Sequence, residues 1–189
     1  MKNPKIILAS SSPRRQELLA LTGYEFDVIV SNIDENIEGT VEYRVEELAR
    51  RKATAVKSTL TQNAIIIGAD TLVSIDGKVI EKPIDNEHAY KMLKTLQDRS
   101  HYVYTGVAII EDEQTHSFVE STKVFFRQMS DSEIWKYIET GEPFDKAGGY
   151  GIQGLGALFV ERIEGDYYSV MGLPVSKLYE KLTKKALIP

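Results

Sequence analysis

Short apolar runs alternate with amphipathic stretches along the whole chain. Ile6-Ile7-Leu8-Ala9 is continuously apolar and ends in three serines, so it reads as a buried strand over 4–9. Pro13 suits a first helical position and Ser12 is a good cap before it, which predicts a helix over 13–22. A strand at 26–30 and a polar loop at 31–40 follow. Val41, Val45, Leu48, Ala49 and Val56 then form one apolar stripe, the mark of a long amphipathic helix over 41–60. The pattern next predicts a strand at 64–75, a turn at Asp76-Gly77, a strand at 78–81 and a helix at 86–97. Two strands, 101–111 and 116–127, flank a polar turn. Ser130 and Glu133 have capping-box spacing for a helix at 131–139. A glycine-rich loop at 141–156, a strand at 157–164 and a last helix from about 174 to 184 complete the reading. Early alternation of strand and helix with a hairpin in the middle places the chain in the α/β class, as a mixed twisted sheet with helices packed on it. No repeat or linker divides the 189 residues, so one domain over 1–189 is expected.

Composition narrows the function. A hydrophobic share of 42% with 27% charged residues is that of an ordinary soluble protein able to build a core. There is no cysteine, which excludes disulfides, zinc–thiolate sites and a thiol nucleophile and fits a cytoplasmic location. The opening residues lead into only a short apolar run, so no secretory signal is expected. No stretch nears the roughly 18 apolar residues of a membrane span, so no membrane partner is expected. A net charge of −5 disfavours a nucleic-acid-binding domain, which is usually basic.

The candidate chemistry starts at Ser10-Ser11-Ser12-Pro13-Arg14-Arg15. Free N–H groups of a helix start, three nearby hydroxyls and two guanidiniums suit a phosphate, and several linked phosphates better still. The plainer reading pairs Arg14 or Arg15 with Glu17 or Glu35. The motif is not a Walker loop, because no GxxxxGK[ST] occurs. Asp70 interrupts an apolar strand, and a buried charge is costly unless it is paired or binds a metal. Gly68, on the same face, is expected to leave room beside it, and the plainer reading has Asp70 ending the strand. Lys52 falls on the apolar stripe of the long helix, where it either snorkels outward or meets an anion. Asp34-Glu35 lie in a loop after a strand and suit Mg²⁺ or Mn²⁺, or simply a solvated turn. Lys82 is either a site cation or a surface lysine, and the glycines of 144–156 either approach a ligand or serve turns. His88, His101 and His116 have no spacing relation to these segments and read as structural or exposed, and Trp135 and Tyr137 read as packing.

Together these segments resemble the Maf family of nucleoside triphosphate pyrophosphatases, whose fold is related to that of the inosine triphosphate pyrophosphatases. The matching pieces are Ala9-Ser10-Ser11-Ser12-Pro13-Arg14-Arg15, Asp34-Glu35, Leu48-Ala49-Arg50-Arg51-Lys52-Ala53, Gly68-Ala69-Asp70-Thr71, Glu81-Lys82-Pro83, the run from Asp145 to Gly154, and Gly172-Leu173-Pro174. The resemblance implies hydrolysis of a nucleoside triphosphate to a monophosphate and pyrophosphate, with a divalent metal, Mg²⁺ or Mn²⁺, as cofactor. It makes Asp70 the general base and puts Glu35 with Asp70 at the metal. It places Ser10, Arg14, Arg15, Glu35, Lys52, Lys82 and Gln153 around the substrate, and charge makes Ser10, Ser12, Arg14, Arg15, Lys52 and Lys82 the expected phosphate-binding set. Arg14, Thr71 and Gln153 match the specificity residues of the branch that uses dTTP and UTP. A homodimer is expected from the family, and older descriptions link the family to inhibition of septum formation.

A mechanism follows from charge. The hydroxyls and helix start hold phosphate oxygens, while Arg14, Arg15, Lys52 and Lys82 neutralise charge growing on departing pyrophosphate. Asp70 accepts a proton from the attacking water. Gln153 offers a donor and an acceptor, matching the two-sided edge of uracil or thymine. Arg15 and Lys52 are expected to add nothing to stability, each being a cation on a helix face. Two alternatives belong to other classes: a nucleic-acid-binding regulator of division and a nucleotide sensor without hydrolysis. A central carboxylate disfavours the first, and a complete set of base, metal ligand and cations disfavours the second.

Overall fold

The computed structural model describes residues 5–184. Its elements in chain order are β1 (Lys5–Ala9), α1 (Pro13–Ala20), β2 (Phe26–Val28), α2 (Val41–Lys57), β3 (Ala64–Ile75), β4 (Lys78–Ile80), α3 (Asn86–Leu96), β5 (Ser100–Glu111), β6 (Gln114–Phe126), α4 (Asp131–Glu139), β7 (Val160–Glu164), α5 (Tyr167–Met171) and α6 (Val175–Thr183). They gather into two compact units. The first holds the chain up to Asp70, Thr105–Glu120 and the chain from Gly172; the second holds Thr71–Tyr104 and Ser121–Met171. Strands β3, β5 and β6 each contribute residues to both.

In the first unit β1 is central and pairs in parallel with β2 (Ile6 opposite Phe26) and with β3 (Leu8 opposite Ile67). Buried on both faces, β1 has no reason to alternate, which is why its sequence is an unbroken apolar run. The apolar stripe of α2 covers these strands: Ala49, Ala53 and Val56 pack with Ile7, Ala9 and Ile66. Two glycines set how closely it lies. A Cβ at Gly68 would strike the Ala49 carbonyl and the Ala53 nitrogen, and one at Gly106 would strike the Val45 carbonyl. The helix backbone therefore rests directly on β3 and β5. The space left by the missing side chain of Gly68 is thus filled by α2.

In the second unit β4 pairs antiparallel with the end of β3, Val73 opposite Ile80, and β7 pairs antiparallel with β6. Asp76 and Gly77 both have positive φ, 51° and 74°, as a two-residue hairpin turn of the type that follows strand twist requires. Helices α3 and α4 bury Leu93, Leu96, Ile134 and Ile138 against Val124, Phe126, Tyr150 and Phe159. The Ser130–Glu133 capping box is present. Parallel pairs in one unit and antiparallel pairs in the other, with helices packed on the strands, make the mixed α/β class that was expected.

The differences lie at element ends. A 3₁₀ turn, Leu155–Phe159, occupies the expected start of β7. Helix α5 was not foreseen; it is only five residues long, and the Asp166 carboxylate accepts from Tyr168 N and Ser169 N at its start. Such a helix is too short for a periodic signal, and its start is set by one side chain. Position 4 of the first expected strand lies outside the described residues. Among the described residues no helix is long and apolar enough to cross a membrane.

Candidate active site

The first unit assembles most of the candidate residues. Ser12 is extended (φ −68°, ψ 117°) and caps α1, its Oγ accepting from Arg15 N at 3.5 Å. Ser10 is buried, and its Oγ accepts from Ser12 N at 3.2 Å and from Arg15 Nη1 at 3.3 Å. The serine turn therefore shapes the start of α1, where backbone N–H groups and the positive helix end favour an anion. Arg14 follows Pro13 in the first helical turn and is half-buried.

Arg15 does more than present a charge. Its Nε donates to the Gly172 carbonyl at 2.9 Å and its Nη1 to the Ala69 carbonyl at 2.8 Å. It thereby ties α1 to the residue before Asp70 and to the segment leading into α6. Desolvation lowers its pKa below the usual arginine value; Asp70 opposes that shift, Arg14 adds to it, and Glu35 opposes it. The guanidinium stays charged at neutral pH. This differs from the expectation of a cation without structural benefit, and the reason is that backbone carbonyls leave no sequence signal.

Lys52 points from α2 towards β3. Its Nζ donates to Asp70 Oδ1 at 2.6 Å and pairs with Glu35 Oε1 at 2.7 Å. Asp70 is buried and Lys52 nearly so, with side chains 11% and 12% exposed, whereas Glu35 is 61% exposed. Low dielectric strengthens the first pair and water screens the second. Lys52 thus meets an anion and does not snorkel. β3 continues to Ile75, so Asp70 does not end the strand. The Asp34 carboxylate instead accepts from Asn36 N at 2.9 Å, shaping the loop that carries Glu35.

Two carboxylates converging on one cation are hard oxygen donors of the kind Mg²⁺ and Mn²⁺ take together with substrate phosphates. Among the described residues no cluster of three or more His, Cys, Asp or Glu could hold a metal by itself. The donor set fits a metal that arrives with a phosphate ligand.

The second unit carries the other candidates. Thr71 follows Asp70 on β3 and is half-buried. Lys82 is exposed after β4, and Gln153 is exposed in the glycine-rich segment. Gly148 N donates to the Glu81 carbonyl at 3.0 Å, joining the Lys82 segment to that loop. A side chain absent from the sequence reading organises the loop: the Glu142 carboxylate accepts from Leu155 N at 2.9 Å, Gly156 N at 3.2 Å and Tyr137 OH at 3.1 Å. Its only sequence signal is a carboxylate next to proline in a glycine-dense stretch. His101 is buried, with Nε2 2.7 Å from the Tyr150 hydroxyl, and burial lowers its pKa to about 4. It is a structural histidine, one of the two roles expected. Tyr137 is buried in the second unit's core, so the packing reading holds for it.

A capped helix start, a half-buried arginine and a lysine held between two carboxylates thus come together in the first unit of an α/β framework. The chain matches the family model described as Maf-like protein over residues 5–185, and it belongs to that family. It is 50% identical over 184 residues to a protein of Thermoanaerobacter sp. named dTTP/UTP pyrophosphatase, covering 96% of each chain. It is 51% identical over 179 residues to a Clostridium beijerinckii protein of the same name, covering 92% of this chain and 95% of the relative. Among solved structures, the Staphylococcus aureus Ham1 protein aligns with a TM-score of 0.45 and 17% identity, over 65% of this chain and 71% of that one.

Proposed function

We propose that this protein hydrolyses dTTP and UTP to the nucleoside monophosphate and pyrophosphate. The relatives' names support the activity and substrates. The observation that carries the chemistry is the convergence of Asp70 and Glu35 on Lys52, at 2.6 and 2.7 Å, with Arg15 bonded to the carbonyl just before Asp70.

Asp70 is the general base, taking a proton from the water that attacks the α-phosphorus. The bond from that phosphorus to the bridging oxygen breaks, and pyrophosphate leaves. Ser10, Ser12 and the α1 N–H groups hold phosphate oxygens. Arg14, Arg15, Lys52 and Lys82 offset charge on the leaving group. Glu35 and Asp70 would hold Mg²⁺ or Mn²⁺, which supplies charge neutralisation and polarises the phosphorus. Thr71, Arg14 and Gln153 select the pyrimidine base; this rests on the match to the family's dTTP/UTP branch. Nucleoside triphosphate pools are the reason to put its work in the cytoplasm, and the family is the reason to expect a homodimer.

The test is a panel of UTP, dTTP, CTP, ATP and GTP with Mg²⁺, reading pyrophosphate and orthophosphate separately. UTP and dTTP release pyrophosphate fastest. Asp70→Asn reduces that rate by about 10²–10⁴-fold and keeps nucleotide binding. Orthophosphate as the product, or full turnover by Asp70→Asn, contradicts the proposal.

A further inference from the structure

The glycine-rich segment of the second unit is organised around one carboxylate. Glu142 Oε2 accepts from Leu155 N at 2.9 Å, and Oε1 accepts from Gly156 N at 3.2 Å and from Tyr137 OH at 3.1 Å. Tyr137 belongs to α4, so the carboxylate has a fixed support on one side. On the other side it satisfies two successive backbone donors of the turn that follows Gln153. Such charge-assisted bonds are the strong ones, and they define where a loop backbone must lie. Gly154 adds an independent sign. Its φ of −96° and ψ of −151° are open to any residue, yet a Cβ there would collide with both Glu142 carboxylate oxygens. The glycine is needed for the closeness of the carboxylate and not for its backbone angles. The backbone that follows Gln153 is thus wrapped against Glu142, while the Gln153 side chain is exposed.

We propose that Glu142 is a positioning residue for base selection, fixing the 154–156 backbone so that the Gln153 amide is held in the orientation that reads a pyrimidine edge. This rests on the reading of Gln153 given above. Glu142 touches no substrate; it acts through the loop. A flexible Gln153 can turn its amide to satisfy either uracil or cytosine, because the amide carries both a donor and an acceptor. Holding the loop removes that freedom, so discrimination depends on the support.

The experiment measures kcat/KM for UTP and CTP in wild type, Gln153→Ala, Glu142→Ala, Gly154→Ala and the Glu142→Ala/Gly154→Ala double variant, each checked for a native melting transition. Glu142→Ala lowers the UTP-to-CTP ratio by up to about 10²-fold, the scale of a 1 Å misplacement, and the loss falls on UTP. Gly154→Ala alone, by pushing the carboxylate away, lowers the ratio in the same direction. In the double variant Gly154→Ala adds nothing further, because the atoms it collides with are gone. Glu142→Gln, which keeps one acceptor, restores part of the ratio. If Glu142→Ala lowers UTP and CTP turnover equally, or leaves the ratio intact while Gln153→Ala collapses it, the positioning role is overturned. Should Glu142→Ala not fold, Gly154→Ala decides alone: an unchanged ratio overturns the role. An unchanged ratio in Gln153→Ala overturns the reading of Gln153 as the base reader, a separate and recognisable failure.

Discussion

At the scale of single residues, charge and shape do different work in the candidate site. Asp70 was legible as a carboxylate inside an apolar run, because burying a charge alone is too costly to be accidental. Lys52 was legible as a cation on an apolar stripe, and the two meet at 2.6 Å. Arg15 was legible only in part. Its charge suggested a phosphate, but its bonds to the Ala69 and Gly172 carbonyls have no counterpart in the pattern of residue types. Those carbonyls come together only once the chain has folded. Arg15→Ala therefore reduces stability as well as activity, by about 1–3 kcal/mol for the acceptors left unmatched. Arg15→Lys restores little of it, since an ammonium cannot reproduce the guanidinium fork. Urea unfolding of the three proteins checks this; equal midpoints for wild type and Arg15→Ala would contradict it.

At the scale of elements, the long periodic segments were predictable and the site depends on how closely two of them pack. The stripe of α2 and the apolar run of β3 were both legible, and the structure places them nearly as expected. The short pieces were not: α5 and the Leu155–Phe159 turn are too brief for periodicity, and each starts on a single carboxylate, Asp166 and Glu142. Gly68 was noticed for the right reason, lack of a side chain, and given the wrong neighbour. Its missing Cβ lets the α2 backbone touch β3, which carries Lys52 to Asp70. Gly68→Ala forces a methyl against the Ala49 carbonyl and the Ala53 nitrogen. The expected cost is about 1–3 kcal/mol of stability from overpacking. The residual folded protein also loses activity, because Lys52 shifts with the helix. A calorimetric melting temperature equal to wild type, with unchanged activity, would contradict this account of the helix contact.

For the whole molecule, one buried group makes stability depend on pH. His101 is held neutral by burial, with a pKa of about 4 against 6.5 for a free histidine. Between those two values the unfolded chain binds a proton that the folded chain refuses. Stability is therefore full above pH 6.5 and falls as pH drops towards 4, by up to about 3 kcal/mol from this group. His101→Asn removes that dependence. Comparing unfolding free energies at pH 7 and pH 4.5 in both proteins checks it: equal losses would contradict the assignment. The family, by contrast, was legible from motifs spread along the chain, and the match over residues 5–185 bears that out. The central claim is attack by water at the α-phosphorus with pyrophosphate leaving. Hydrolysis of UTP in ¹⁸O-labelled water, followed by mass spectrometry of both products, tests it most directly. The account predicts the label in UMP and unlabelled pyrophosphate. Label in pyrophosphate, or release of orthophosphate in its place, would contradict it.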